Sequence, residues 1–338
     1  MKIKNPVIAG NRATLYWQGS NAPQVISDLH GWENVPQKMN RLEKDLWAYS
    51  MRVSPTAYIE YAFFDPHTKQ RLQDPLNTNT VYNGFGSDNH FFYMPEAHPT
   101  ELARRNLQIP HGRITRHIVN ADAITDHARR VIHLYHPPSR EPAPLLIVYD
   151  GVDYLKRARL NYIVDNLIHQ KRIRPIAIAF LQNGGANRSV EYACSDAVLL
   201  WLAGVVLPFA QKRLNLLDIL HHPGAFGVLG ASYGGLMSVY TGLRMPDIFS
   251  RVLCQSGVFE LEGRDFSAVD LIRARKAQEL NLWMDIGEYD SLLEDNRRMQ
   301  PIFREHGYDV NYHEFSGGHN YTCWRDDVSH GLELLFGD

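Results

Sequence analysis

Gly230-Ala231-Ser232-Tyr233-Gly234 is the stretch that decides how this chain folds. Upstream, Ala225-Phe-Gly-Val-Leu-Gly230 reads as a short apolar strand; downstream, Gly235-Leu-Met-Ser-Val-Tyr-Thr-Gly-Leu reads as the small-residue-rich start of a helix. A serine carried on a sharp strand-to-helix turn has a strained backbone, so the residues two before and two after it must be small. Gly230 and Gly234 meet that demand, and Ala231 adds no bulk. The five-residue pattern by itself arises by chance in roughly one chain of this length in ten. Its flanks give it meaning: they predict a nucleophilic serine on an elbow, and with it a serine hydrolase.

Around the elbow, strands at Arg130–Tyr135, Leu145–Tyr149 and Pro175–Leu181 alternate with helical stretches at Tyr154–Gln170 and Ser189–Arg213. Strands at Phe226–Leu229, Arg251–Gln255, Leu282–Ile286 and Val310–Phe315 follow, with helices between. Such alternation of helices with near-continuous apolar strands predicts a mostly parallel sheet with helices on both faces. Residues 1–94 have another character. Short alternating segments at Arg12–Gln18, Gln24–Asp28, Leu46–Arg52 and Tyr58–Phe64, separated by Gly, Asn, Pro and Asp clusters, predict an all-β sandwich. Residues 95–112, with three prolines and mixed charge, read as a linker, which leaves 113–338 for the second domain. Leu76–Asn89, rich in Asn, Gly and Thr, reads as a long loop able to reach over a site.

A serine hydroxyl is a poor nucleophile and needs a base, which in turn needs an orienting acid. In the α/β-hydrolase fold these follow the serine in the order acid, then histidine. Asp290 follows the strand Leu282–Ile286, and His319, in Ser316-Gly317-Gly318-His319-Asn320, follows the strand Val310–Phe315. Both stand at carboxyl ends of parallel strands, the edge where such sheets bind ligands. Glu288 is the reserve acid, and Asp290 is also a suitable N-cap for a helix over Ser291–His306. The developing oxyanion requires donors: the N–H of Tyr233 is one, and that of Val152, in the turn after the strand Leu145–Tyr149, is the candidate for the second. Arg188, in the loop after the strand that ends near Leu181, is a candidate substrate-binding cation, whereas Arg157 and Arg159 read as solvated.

The bulk numbers exclude several classes. With a formal net charge of -2, nothing points to nucleic acid or to an anionic membrane. The apolar run Ala197–Ala210 is too short to span a bilayer, and the first residues lack the apolar core of a signal peptide, so a cytoplasmic protein is expected. Three cysteines without C-x-x-C spacing fit reduced structural thiols. Pairs among the sixteen histidines, such as His221-His222 or His133 with His136, lack acidic or cysteine company, so neither a metal nor a cofactor is expected. The expected partner is a small-molecule ester; composition assigns no oligomeric state.

Over nearly its whole length the chain resembles the enterochelin (ferric enterobactin) esterase family, within the esterase D-like α/β-hydrolases. The matching pieces in the second half are Leu-Ile-Val-Tyr-Asp-Gly at 146–151, Arg188 with Glu191-Tyr192, the elbow, Gly287 with Asp290, Asn296-Arg297, and Gly-Gly-His at 317–319 followed by Trp324-Arg325. In the first half Val25-Ile-Ser-Asp-Leu-His-Gly-Trp32, Met39, Arg41-Leu42, Trp47 and Arg71-Leu-Gln-Asp-Pro-Leu-Asn77 look like the immunoglobulin-like N-terminal domain of those esterases. That domain is similar to glycogen-binding-type modules, so Trp32, Trp47, Tyr58 and Tyr61 are either sugar-stacking residues or, as is commoner on sandwich strands, core. The resemblance implies an esterase working through Ser232, His319 and Asp290 on a siderophore-type ester or lactone. Feruloyl or acetyl esters of polysaccharide are the alternative substrates, acyl transfer to an alcohol an alternative outcome, and a non-catalytic glycan-binding protein the rival from another class. Asn320 and Tyr321 depart from the family, where Asp and Trp are frequent, and the acid position varies among relatives.

Overall fold

Ala13 and Leu15 are separated by one residue, as a strand with a single apolar face requires. In the computed structural model, which describes residues 4–32, 36–125, 127–274 and 276–337, both are fully buried. The strands of this half are β1 (Val7–Ala9), β2 (Arg12–Gln18), β3 (Gln24–Ser27), β4 (Gln37–Lys38), β5 (Asn40–Glu43), β6 (Leu46–Arg52), β7 (Tyr58–Phe64), β8 (Arg71–Leu72), β9 (Thr80–Tyr82) and β10 (Asp88–Tyr93). One antiparallel sheet has the order β1-β2-β6-β5; a second has the order β4-β3-β7-β10-β9, with β8 on β7. Ala13, Leu15 and Met51 from the first sheet share one apolar cluster with Val25, Ile59, Tyr61, Phe63 and Phe92 from the second. Each such large side chain contributes about 1.5–3 kcal/mol on burial. Tyr58 and Tyr61 are buried in this half, not displayed. The stretch Arg71–Asn77 is anchored by Asp74, a buried carboxylate that accepts from Tyr61 Oη at 2.5 Å and from Asn5 Nδ2 at 2.9 Å. Leu76–Asn89 is not a structureless loop: β9 pairs with β10 as Asp88 meets Tyr82, leaving only a short tip.

The second half contains β11 (Arg113–Asn120), β12 (Arg129–His136), β13 (Leu145–Val148), β14 (Ala177–Leu181), β15 (Phe226–Ala231), β16 (Phe249–Gln255), the small hairpin β17 (Glu260–Leu261) and β18 (Arg264–Asp265), β19 (Asn281–Gly287) and β20 (Val310–Phe315). Its helices are α1 (Gly151–Lys156), α2 (Leu160–His169), α3 (Arg188–Tyr192), α4 (Asp196–Trp201), α5 (Leu207–Gln211), α6 (Tyr233–Arg244), α7 (Ser267–Ala274), α8 (Leu293–Glu305) and α9 (Tyr321–Phe336). The 8-stranded sheet runs β11-β12-β14-β13-β15-β16-β19-β20. β12 is antiparallel to both its neighbours, and β14, β13, β15, β16 and β19 are parallel. The apolar run Ser189–Arg213 is not one helix. Cys194 takes a left-handed φ of 57° between α3 and α4. The turn widens to a π-helix over Leu202–Val206, just ahead of Pro208, which has no N–H to give back to the preceding turn.

The chain forms two compact units that are not contiguous in sequence. One comprises residues 1–99 with 287–293 and 314–323; the other comprises 100–286, 294–313 and 324–338. Among the described residues no single helix is long and apolar enough to cross a membrane.

Candidate active site

Ser232 connects β15 to α6 with φ 59° and ψ -126°, a backbone region that side chains avoid. The turn is so tight that a Cβ on Gly230 would stand 2.3 Å from the Gly234 carbonyl oxygen, so only glycine fits there. The elbow is fixed from both sides: Ser232 N–H donates to Gln255 O at 2.9 Å, and Leu236 N–H donates to Ser232 O at 3.1 Å. Tyr233 is the first residue of α6 and Val152 the second of α1, so neither N–H has an acceptor within its own helix.

The loop that carries Val152 lies beside this elbow. Asp150 holds a left-handed φ of 51°, and its Oδ2 would be 3.1 Å from a Cβ built on Gly234. This carboxylate is buried and fully engaged. Arg188 grips it with Nε at 2.7 Å and Nη2 at 2.6 Å, Asn183 Nδ2 donates at 2.6 Å, and Arg188 Nη2 also reaches Ala231 O at 3.2 Å. Arg188 therefore braces the Asp150 loop against the strand that leads into the serine, a contact that its reading as a substrate-binding cation did not include. Its side chain keeps 27% exposure. Arg157 pairs with Asp153 one helical turn away.

Asp290 and His319 are joined in the other unit. His319 Nδ1 lies 2.8 Å from Asp290 Oδ2, and opposite a carboxylate that nitrogen carries the proton. The other oxygen, Oδ1, accepts from Leu292 N–H at 2.9 Å, so Asp290 both caps the turn before α8 and orients the imidazole. Its side chain is fully buried, and that of His319 is 29% exposed. Glu288 is exposed and accepts instead from Ser316 Oγ at 3.0 Å. Backbone bonds from Glu288 N to Phe315 O and from Tyr289 N to Gly317 O zip the two loops together. Residues 54–58 hold them: Ser54 N–H donates to Tyr289 Oη at 2.6 Å and Tyr58 N–H to Ser316 O at 3.2 Å.

Asp28 supports the histidine loop. It is buried, receives Glu60 N–H at 2.7 Å and Trp32 Nε1 at 2.8 Å, and sits where a Cβ on Gly318 would be 2.3 Å from its carboxyl carbon. Burial, opposed by the bonds from Glu60, Trp32 and Asn320 and reinforced by the charge of Asp290, raises its pKa to about 6. Asn320 also fixes the local chain: its Oδ1 accepts from Cys323 N–H at 2.9 Å, which caps the start of α9.

Beneath the elbow, Gln255 ties several groups together. Its Oε1 accepts from Tyr154 Oη at 2.9 Å, and its Nε2 donates to Asp285 Oδ2 at 3.0 Å and to Trp324 O at 3.1 Å. Burial, and then the charge of Asp327, push the Asp285 carboxyl well above the ordinary range. In the sequence the only sign of this network was the polar Gln255 directly after the apolar Val252-Leu253-Cys254 of β16.

Comparison with known proteins adds an independent line. The model of the family described as "Putative esterase" matches residues 124–335. The iron(III) enterobactin esterase of Dickeya dadantii (strain 3937) is 29% identical to this chain, over 97% of it and 88% of that protein. The ferric enterobactin esterase of Salmonella typhimurium superposes with a TM-score of 0.81 at 22% identity, over 96% of this chain and 93% of that one. The Shigella flexneri enterobactin esterase crystallised in the presence of enterobactin gives a TM-score of 0.79 at 19% identity, over 96% and 92%. The common fold is an α/β-hydrolase-type sheet with a strand-rich N-terminal part.

Proposed function

The chain belongs to this esterase family, and from that premise we propose that it is a serine carboxylic-ester hydrolase acting through an acyl-enzyme on a siderophore-type ester or lactone. The observation that carries the proposal is the elbow, where Ser232 is held at φ 59° between two glycines. In this scheme Ser232 Oγ attacks the ester carbonyl and its proton passes to His319 Nε2, the role left to that nitrogen once Nδ1 is bonded to Asp290. The N–H groups of Tyr233 and Val152 receive the oxyanion. The intermediate collapses, the leaving alkoxide takes the proton from His319, and water attacks the acyl-enzyme by the same route. Arg188 contacts an anionic substrate alongside its pairing with Asp150, a role supported by its remaining exposure.

The 1–94 half is read as an immunoglobulin-like sandwich joined through 95–112 to the catalytic domain at 113–338, and its residues 54–58 and Asp28 support the histidine loop. The siderophore reading rests on the enterobactin esterases among the relatives, and the cytoplasmic reading on three cysteines that form no disulfide.

Turnover of p-nitrophenyl butyrate by wild type and Ser232→Ala tests the chemistry: equal rates would end the proposal. Ferric enterobactin and methyl ferulate assayed side by side test the substrate, and faster cleavage of methyl ferulate would move the enzyme to the feruloyl class. A chain that a fluorophosphonate probe fails to label would be a binding protein instead.

A further inference from the structure

One cluster in the second unit, away from the elbow, brings together side chains with metal-binding chemistry. Asp327 and His330 stand three residues apart on α9 and so share a face of the helix, and His313 meets them from β20. His313 Nε2 and His330 Nδ1 each lie 3.1 Å from the same atom, Asp327 Oδ1. All three candidate ligand atoms fall within 4.8 Å of one another. Ligands at about 2.0–2.1 Å from a tetrahedral ion stand roughly 3.3 Å apart, so the two contacts to Asp327 need to open only slightly, and the imidazole nitrogens, within 4.8 Å of each other, need to adjust by no more than about 1.5 Å. We propose that His313, Asp327 and His330 bind one divalent cation of the zinc class, with water completing the tetrahedron.

Two imidazoles and a carboxylate suit zinc, cobalt or nickel, whereas magnesium and calcium take oxygen sets. A second buried carboxyl, that of Asp285, stands close to the ligand carboxylate. Asp327 is buried, its Oδ2 has no hydrogen-bond partner among the described residues, and the Asp285 carboxyl lies near enough for the two charges to act on each other. Asp285 is itself held by Trp283 Nε1 at 2.9 Å and Gln255 Nε2 at 3.0 Å. A supporting group of this kind behind a ligand commonly changes metal affinity by about 10–100-fold when removed. The Trp283 ring lies beside both imidazoles, with centroids 5.9 Å from His313 and 6.3 Å from His330, which limits how they turn. The histidine side chains keep 40% and 55% exposure, so an ion and its water have access. The bound ion takes the place of the protons between the imidazoles and the shared carboxylate, and these go to solvent. The sequence expectation of no metal rested on histidine pairs without acidic company; folding gives His313 and His330 that company in Asp327.

Calorimetric titration of the chelator-treated full chain with zinc chloride, and separately with magnesium chloride, tests the site. Wild type is expected to bind one more equivalent of zinc than the His313→Ala/His330→Ala variant, and to melt at a higher temperature with zinc while the variant does not. Asp285→Asn is expected to weaken zinc binding by about 10–100-fold without abolishing it. His330→Ala alone, at an exposed position, repeats the test should the double variant misfold. Equal zinc stoichiometry in wild type and variant, or a response to magnesium equal to that with zinc, overturns the proposal.

Discussion

Replacing Ser232 by glycine should make the protein more stable than replacing it by alanine, although glycine normally weakens a fold. Both variants lack the hydroxyl, so neither catalysis nor the Oγ contacts distinguish them. What differs is the tolerance of the backbone at φ 59° and ψ -126°. Holding a residue with a Cβ in such a region costs on the order of 1–3 kcal/mol. Against this, glycine loses about 0.4–1 kcal/mol more backbone entropy on folding than alanine. The difference leaves Ser232→Gly ahead by about 0.5–2 kcal/mol. The unit that holds the elbow has roughly 220 residues, for which 1 kcal/mol corresponds to about 2 °C. Scanning calorimetry at pH 7 should therefore place the midpoint of Ser232→Gly about 1–4 °C above that of Ser232→Ala, with urea midpoints in the same order. An alanine variant as stable as the glycine variant, or more so, would show that the elbow stores no strain.

Three further outcomes follow from named contacts. The pKa of Asp28 is raised to about 6 against an ordinary 3.8, so between about pH 4 and 6 the folded state binds more protons than the unfolded one and this group's contribution to stability falls as pH rises. Asp28→Asn cannot ionise; relative to wild type its stability should rise by up to about 3 kcal/mol from pH 4 to 7, on top of a constant loss of one acceptor, and a difference independent of pH would refute the assignment. Arg188→Met leaves the buried Asp150 carboxylate without its cation and should cost about 3–5 kcal/mol, while adding Asp150→Asn should cost much less than the sum; additive losses in urea titrations would deny the coupling. Gly318→Ala drives a methyl into Asp28 and should lower both the melting temperature and ester turnover, with Asp28→Ala restoring part of each; a silent Gly318→Ala would mean that the loop yields freely.

What the sequence disclosed follows the range of the forces involved. The elbow is legible because its rule is local, and β2, β6, β7 and β20 have the bounds that their residues suggest because alternation or a continuous apolar run marks them. β11 escaped notice because an edge strand with a single buried residue has little apolar face to read. The breaks in Ser189–Arg213 escaped because an apolar composition outweighed one left-handed cysteine and one proline. Contacts that join distant positions were out of reach: Asp150 with Arg188, Gly318 against Asp28, Gln255 with Asp285. His319 and Asp290 were paired in the sequence only by their places after successive strands, and in the fold a hydrogen bond joins them.

The first compact unit is assembled from three separate stretches, the later two being 287–293 and 314–323. A ribosome making this chain delivers the ten strands of that unit early but withholds the segments with Asp290 and His319 until residue 323 has been polymerised. The nascent unit must wait, partly formed, through the synthesis of almost the entire sheet that carries the serine, so the imidazole and its acid meet only near the end of translation. Any attempt to express residues 1–99 by themselves inherits the same gap.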